Sequence, residues 1–326
     1  MIQFPTITSE REKVLVTDGA GFIGSHLVER LINSGFEVTV IDNLSARKVS
    51  NLESVWKHPD FTFVRGDLLN RRILRRAMKG VQMVFHLAAN PEVRIGSTDT
   101  SIDFEQNLQA TYNLLEEMRK HVSAETIVFT STSTVYGEPT IIPTPEDYGP
   151  LVPISLYGAS KLGCEALVSA YCHLFELRAV IYRFANVVGA RNRHGVIHDF
   201  IRKLRVGPHE LKILGDGTQN KSYIHINDCV EAFFTGFRNL DRQVRILNVG
   251  SEGQTDVTRI ARIVIDEMGL KDVQITPVGG FEGRGWKGDV KNMLLDIGRI
   301  KGLGWQPIYH SDEAIRLAAK ETLKMA

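Results

Sequence analysis

The 326-residue sequence contains only three cysteines, Cys164, Cys172 and Cys229. They form no Cys-x-x-Cys pair and have no histidine at metal-ligand spacing, which argues against a zinc site and against a disulfide scaffold. We therefore predict no metal site, and reduced core thiols in a cytoplasmic protein.

The sequence also lacks a surplus of charge and a long apolar segment. Lys and Arg number 39 against 38 Asp and Glu, so charge gives no reason to expect nucleic acid or an anionic membrane as a partner. No apolar run approaches the ~18 residues that a membrane span needs. Residues 1–10 lack the basic and apolar regions of a signal peptide. We expect no nucleic-acid partner and no membrane partner.

What the sequence does contain is a regular alternation of apolar strand-like runs with helical patterns. The runs are residues 14–16, 38–41, 61–64, 81–87, 126–129 and 179–184, and the helical patterns include residues 22–33 and 102–120. Continuous apolar strands separated by helices indicate a parallel sheet covered on both faces. We predict an α/β fold with a doubly wound parallel Rossmann sheet over residues 11–186 and a return strand near 244–250. A smaller mixed α/β lobe, interleaved with it, is predicted over residues 187–326.

A glycine-rich turn joins the first predicted strand to the first helix. Glycines there let the backbone approach a pyrophosphate, and the helix N-terminus offers free N–H groups to it. We predict that NAD binds at this turn. Its residues are Gly19, Gly21, Phe22, Ile23 and Gly24.

Asp42 ends the second strand, close to the ~20-residue offset expected for the acid that binds a ribose diol. A carboxylate there would repel a 2′-phosphate, which favours NAD over NADP, while Arg47 and Lys48 nearby keep NADP open. The alternative for Asp42 is an ordinary turn residue at a strand end. Asp67 and Leu68, after the third strand, are candidates for adenine contact, and an ordinary turn residue is the alternative for Asp67.

Tyr157 and Lys161 are four residues apart, so they share one face if this segment is helical. A Lys ammonium beside a Tyr phenol lowers the phenol pKa from about 10, which would make Tyr157 a proton-transfer group near neutral pH. A Thr/Ser cluster at residues 130–134 precedes the pair. Without Tyr157 downstream, the cluster would be read as a strand end with turn hydroxyls. Together with the glycine-rich turn, these features are hard to explain by chance.

These motifs resemble those of the extended short-chain dehydrogenase/reductase family, in its NAD-dependent epimerase/dehydratase branch. Within that branch the pattern is most similar to the UDP-glucose 4-epimerases. The resemblance extends from Val14 to about Ala314 and rests on residues 19–24, 42–44, 86–89, 131–137, 157–161, 183–186 and 215–219. It implies a UDP-sugar substrate and a homodimer formed through the 102–120 helix and the helix of Tyr157.

The resemblance also implies a catalytic role for three residues. Tyr157 takes the proton from the sugar 4-hydroxyl while hydride leaves C4 for the nicotinamide. Thr132 hydrogen-bonds the reacting oxygen. Lys161 binds the nicotinamide ribose and, with the cationic ring, lowers the pKa of the tyrosine. The 4-keto sugar turns over, and hydride returns to its other face.

Further positions carry over from the family pattern. Asn43, Ala88 and Asn107 match cofactor-binding positions, and Asn186 matches a substrate-binding one. Lys221 stands where an arginine usually contacts the diphosphate, so it keeps the charge and loses the fork geometry. Arg284 is expected to be a second diphosphate ligand. Its rival is Lys287, and for both a solvated surface charge is the alternative.

The sugar itself is left open. By alignment, the position that admits or excludes an N-acetyl group falls on Met293, but we favour a core methionine there. Ser133 and Thr134 stand where dehydratases and decarboxylases of the family carry an acid, which favours an epimerase. A dehydratase, decarboxylase or reductase, or a non-catalytic NAD-binding regulator, stays as the alternative function.

One residue departs from the family pattern. Asp18 replaces the first glycine of the turn, which brings a Cβ and a negative charge toward a pyrophosphate. Its side chain could point away and bond backbone N–H groups of the turn, it could weaken NAD affinity, or the cofactor could bind differently. We predict that Asp18→Gly tightens NAD binding.

Overall fold

A computed structural model describes residues 11–45, 49–121 and 123–325. Arg47 and Lys48, which kept NADP open, lie outside the described residues. In the described part of the chain, every helix is too short or too polar to cross a membrane.

The first half of the chain alternates strands with helices, as the apolar runs predict. In chain order the elements are β1 (Lys13–Thr17), α1 (Phe22–Asn33), β2 (Glu37–Asp42), β3 (Phe61–Arg65), α2 (Arg71–Ala77), β4 (Met83–His86), α3 (Ser101–Asp103), α4 (Ala110–Met118), β5 (Thr126–Thr132), α5 (Leu156–Phe175) and β6 (Arg178–Phe184). Strands β4 to β6 are almost wholly buried, because helices cover both faces of the sheet.

The second half contains shorter elements. They are β7 (Asn186–Val188), α6 (Val196–Val206), β8 (Glu210–Leu214), β9 (Asn220–Lys221), β10 (Tyr223–His225), α7 (Ile226–Arg238), β11 (Val244–Val249), β12 (Thr255–Asp256), α8 (Val257–Glu267), β13 (Gln274–Val278), β14 (Asn292–Met293), α9 (Gly298–Lys301) and α10 (Ser311–Lys324).

The main sheet has seven parallel strands in the order β11-β6-β5-β4-β1-β2-β3. From β1 the order runs through β2 and β3 to one edge of the sheet, and from β4 it runs to the other edge. The switch point of the topology therefore lies between β1 and β4. Folds of this kind bind their ligands there, at the carboxyl ends of the strands. The predicted doubly wound Rossmann sheet is confirmed. The strand predicted near 244–250 is β11, which pairs with β6 at the sheet edge.

Within the described residues, three small sheets accompany the main sheet: β10 with β7, β12-β9-β14, and β13 with β8. We call these the small sheets. They are built from residues from Asn186 onward, where the strand–helix rhythm of the sequence loosens. The division of the chain into two lobes at this point stays a prediction.

The helix predicted over residues 102–120 is not continuous. Between α3 and α4 it widens into a π-helical segment, Phe104–Gln109. The Thr111 hydroxyl donates to the carbonyl of Asn107 at 2.7 Å, a side-chain bond across one turn that competes with the backbone ladder. Such π segments are frequent at functional sites.

Candidate active site

The glycine-rich turn brings β1, β2 and α1 into close backbone contact. A Cβ on Gly24 would lie 2.1 Å from the Asp18 carbonyl oxygen and 2.8 Å from the Gly19 Cα, so only glycine fits there. Gly21 is the N-cap of α1, which starts at Phe22, and it brings no side chain to cover the first N–H groups. Ile23 is the next residue of α1 and is half-buried. The start of α1 therefore fits a pyrophosphate.

Polar side chains gather at the carboxyl ends of β2 and β3, next to this turn. The Asp42 carboxylate is 5% exposed and accepts from the backbone N–H of Ala20 at 3.0 Å and of Leu44 at 2.8 Å. Asn43 donates to Asp67 at 2.8 Å. The structure thus brings Asp42, Asn43 and Asp67 together where the adenosine half of a dinucleotide is expected. Leu68 follows directly and is buried.

A buried relay fixes the loop that carries Ala88. The Thr17 Oγ accepts from the N–H groups of Leu87 and Ala88, both at 3.0 Å, so its hydroxyl donates to Nδ1 of His86 at 2.9 Å. The Nε2–H of His86 then donates to Thr111 at 2.9 Å. Burial lowers the His86 pKa to about 3, so the ring is neutral. The relay holds the ends of β1 and β4 together.

Asn107 is buried in the π-helical segment. Its Oδ1 accepts from the N–H of Asn90 at 2.8 Å, and its Nδ2 donates to the Ser160 hydroxyl at 2.8 Å and to Asp103 at 3.3 Å. Asn107 therefore joins the loop after β4 to α5.

The first turn of helix α5 packs against the turn that follows β5. The Ser155 hydroxyl caps α5 by accepting from the N–H of Gly158 at 3.1 Å. A Cβ on Gly158 would lie 2.8 Å from the carbonyl oxygen of Thr134, which requires glycine for this approach. The contact holds the residue next to Tyr157 against Thr134, whose hydroxyl lies 3.1 Å from that of Thr132.

The electrostatics of the Tyr157–Lys161 pair differ from the prediction. Lys161 is 2% exposed, its ammonium lies 4.3 Å from the ring centre of Phe129, and burial lowers its pKa to about 8. Burial raises the Tyr157 pKa to about 12, and the charges of Asp103 and Cys164 raise it further. The prediction that Lys161 by itself lowers this pKa is wrong, because the dominant cause is burial, which removes the phenolate from water.

A cavity of about 810 Å³ lies beside the turn that follows β5. Among the described residues, its walls include Thr134, Asn186 and Lys221 but not Thr132 or Tyr157. Met293 is 2% exposed in β14 and belongs to the hydrophobic core. The core position favoured for Met293 is therefore confirmed, and the alignment to a wall of the sugar pocket does not hold.

The predicted diphosphate ligands are held by acidic and polar groups. The Lys221 ammonium lies 2.5 Å from the Asp289 carboxylate. The Arg284 guanidinium donates to the Asp289 carbonyl at 3.0 Å and to the carboxylate of Glu138. Asp289 therefore brings Lys221 and Arg284 together, whereas the Lys287 ammonium lies over the ring of Phe281, 5.3 Å from its centre.

Asp18 adopts a φ of +55°, in the left-handed region that favours glycine. One of its carboxylate oxygens lies 2.2 Å from the position that a Cβ would take on Gly21. The carboxylate is therefore folded against the turn, beside the start of α1.

Three polar residues of this site were not predicted from the sequence: Thr17, Asn90 and Asp103. Thr17 is a buried polar residue that directly follows the apolar residues 14–16 of β1, and Asp103 is 1% exposed. The only local signal was a polar residue at a position where the pattern expects burial. Their partners are supplied by distant segments, which periodicity does not identify.

Comparison with known proteins gives a consistent result. Residues 14–250 match the model of the NAD dependent epimerase/dehydratase family. A putative UDP-glucose 4-epimerase of Methanocaldococcus jannaschii is 32% identical over 308 residues, which cover 93% of this chain and 96% of the relative.

Two solved structures extend the comparison. A UDP-galactose 4-epimerase is 40% identical, with a TM-score of 0.84 and coverage of 96% of this chain and 99% of that one. A UDP-glucuronic acid 4-epimerase of Bacillus cereus, solved with UDP-glucuronic acid and NAD, is 29% identical, with a TM-score of 0.86 and coverage of 96% and 100%. The chain belongs to the NAD-dependent epimerase/dehydratase family, and its cofactor is NAD.

Proposed function

We propose that this protein is an NAD-dependent epimerase that inverts C4 of a UDP-sugar of the UDP-glucose/UDP-galactose type. The observation that carries the proposal is the contact of α5 with the turn after β5. It holds Gly158, the neighbour of Tyr157, against Thr134, and Thr134 lines the cavity together with Asn186 and Lys221.

The chain supplies the proton chemistry. Bound NAD supplies a hydride acceptor and donor for the sugar carbon and a positive charge on its ring. Tyr157 takes the proton of the 4-hydroxyl and returns it, and the buried Lys161 ammonium helps to stabilise its phenolate. Thr132 donates a hydrogen bond to the reacting oxygen. Because burial raises the Tyr157 pKa to about 12, the base form depends on nearby positive charge.

The cofactor and substrate are held by different parts of the site. We assign the pyrophosphate of NAD to the start of α1 and its adenosine half to Asp42, Asn43 and Asp67. We assign the diphosphate of the substrate to Lys221 and Arg284. Since each of these is held by a carboxylate, substrate binding has to exchange the ion pair for the diphosphate.

An epimerase is favoured over a lyase by the residues beside Thr132. Ser133 and Thr134 carry hydroxyls where elimination or decarboxylation would use an acid. A hydroxyl with an ordinary pKa neither protonates a leaving group nor removes a carbon-bound proton near neutral pH.

The test is direct observation of the sugar. The purified protein with NAD is incubated with UDP-galactose, UDP-N-acetylgalactosamine or UDP-galacturonic acid, and the anomeric protons are followed by NMR. We expect the gluco-configured signal to grow from UDP-galactose to a fixed ratio. Conversion of only another sugar would correct the substrate, and a keto product or loss of carbon dioxide would refute the epimerase.

We also propose a homodimer formed by α4, α5 and the segment before α4. This surface exposes apolar side chains of Phe104, Tyr112 and Phe175. Exposed apolar side chains gathered on one surface are typical of an interface between chains. Light scattering coupled to gel filtration should give twice the chain mass of 36.5 kDa, and a mass of one chain would refute the dimer.

A further inference from the structure

A buried polar network lies between the proposed catalytic residues and the small sheets, and the reaction proposed above does not use it. Its central residue is Arg183 in β6, which is 3% exposed. The guanidinium donates to the two oxygens of Glu165 at 2.7 to 3.2 Å. Its remaining Nη1 donates to the Tyr136 hydroxyl at 2.9 Å and to the Glu146 carbonyl at 3.0 Å.

Glu165 connects the two elements that carry the proposed catalytic residues. It lies on α5, one turn beyond Lys161, and it also accepts a hydrogen bond from the Ser131 hydroxyl. Ser131 directly precedes Thr132 at the end of β5. One carboxylate therefore fixes the strand end of Thr132 against the helix of Tyr157 and Lys161.

The other side of the network reaches toward the small sheets. The Tyr136 hydroxyl donates to Oδ1 of Asn248 at 2.7 Å. The amide nitrogen of Asn248 donates to the carbonyls of Thr144 at 2.9 Å and Asp296 at 3.1 Å. Asp296 follows β14, which pairs with the strand that carries Lys221. A continuous chain of hydrogen bonds thus joins Glu165 to the neighbourhood of the proposed diphosphate ligand.

We propose that Glu165 is a positioning residue that sets the separation between Thr132 and Tyr157. Through Arg183, Glu165 also couples this separation to the position of the small sheets, where the substrate binds. The inference rests on the function proposed above. Apolar residues of similar volume often replace a buried ion pair with no loss of stability, so stability alone does not account for this one. A reaction geometry, by contrast, is sensitive to shifts of about 1 Å.

Two conservative variants separate the two arms of the network. Ser131→Ala removes the link to β5 and leaves the ion pair of Glu165 and Arg183 in place. Tyr136→Phe removes the link to Asn248 and keeps the ring, which lies 4.8 Å from the Arg183 guanidinium. The matched control is Thr130→Val, which deletes a hydroxyl of the same strand that donates to the His86 carbonyl at 3.2 Å.

We expect the two variants to change different kinetic parameters. Ser131→Ala lowers kcat on the order of tenfold, because it disturbs the reacting groups, and leaves KM within about twofold. Tyr136→Phe raises KM for the UDP-sugar more than it lowers kcat. Thr130→Val changes neither by more than about twofold. If Ser131→Ala and Tyr136→Phe alter only the melting temperature, as a purely structural network would, the proposal is wrong.

A second measurement does not depend on turnover. In crystals of the variants with NAD and UDP, Ser131→Ala should change the separation of the Thr132 and Tyr157 hydroxyl oxygens by more than about 0.5 Å relative to Thr130→Val. An unchanged separation would overturn the proposal. If the wild-type protein converts no UDP-sugar, the proposed function fails, and this separation still decides whether Glu165 positions the two residues.

Discussion

The replacement of a turn glycine by Asp18 leads to a quantitative prediction about NAD affinity. The Asp18 carboxylate is folded against Gly21, at the start of α1, where the N–H groups fit a pyrophosphate. Two negative charges are therefore brought to the same place when NAD binds. We expect Asp18→Gly to tighten NAD binding.

The size of the effect is estimated from Coulomb's law for an assumed separation of the two charges. Two unit charges about 5 Å apart at an effective dielectric constant of about 20 repel by about 3 kcal/mol. Asp18 is only half-buried, so solvent reduces this to about 1 kcal/mol. A gain of about 1 kcal/mol corresponds to about a fivefold lower Kd.

Calorimetric titration of the protein with NAD measures this Kd, and Asp18→Asn separates the charge from the shape. Asparagine tolerates the left-handed backbone and keeps the size of the side chain while removing the charge. If repulsion is the cause, Asn and Gly give a similar gain, and the gain shrinks as salt is raised. If crowding by the side chain is the cause, only Gly gives it.

The Asp18→Gly substitution also changes the backbone strain of the folded state and the entropy of the unfolded chain. Glycine relieves about 1 kcal/mol of strain at this φ, but it also increases the entropy of the unfolded chain by a similar amount. The free energy of unfolding should therefore change little. A Kd within about twofold of wild type in both variants would refute the electrostatic reasoning.

Three further predictions concern the catalytic pair, the α5 contact and the buried relay. Tyr157→Phe should lower turnover by at least about 10²-fold with NAD affinity retained, while Tyr148→Phe, a matched tyrosine outside the site, keeps activity; near-normal turnover of Tyr157→Phe would exclude the assigned base. Gly158→Ala should lower the free energy of unfolding by about 1–3 kcal/mol and reduce turnover, because its methyl meets the turn after β5, whereas Gly207→Ala meets nothing within 4 Å; equal effects in denaturant titrations would contradict this. Lowering the pH from 7 to 5 should cost about 2 kcal/mol of unfolding free energy through His86 alone, because its pKa is about 3 in the fold and near 6.5 when unfolded, so only the unfolded state gains the proton; His86→Gln should reduce this pH dependence, and an unchanged dependence would disprove it.

The sequence by itself determined the elements whose signals are local. The apolar spacing of residues 22–33 predicts α1 at its observed bounds, Phe22–Asn33, because one helix face is buried along its whole length. The order of strands and helices requires a parallel sheet, since parallel neighbours need a crossover connection. The glycine spacing of the turn is equally local, because the close approach at Gly24 involves residues only a few positions away.

The tertiary structure decided what depends on residues far apart in the chain. The pKa of Tyr157 follows from burial, so the short spacing to Lys161 could not predict its direction. Lys221 pairs with Asp289, and Arg284 pairs with Glu138. In each pair the two residues are far apart in the sequence. The same holds for the Arg183 network. Its charged and hydroxyl groups lie on different strands, and they come within hydrogen-bond distance only when the strands pair in the register of the sheet.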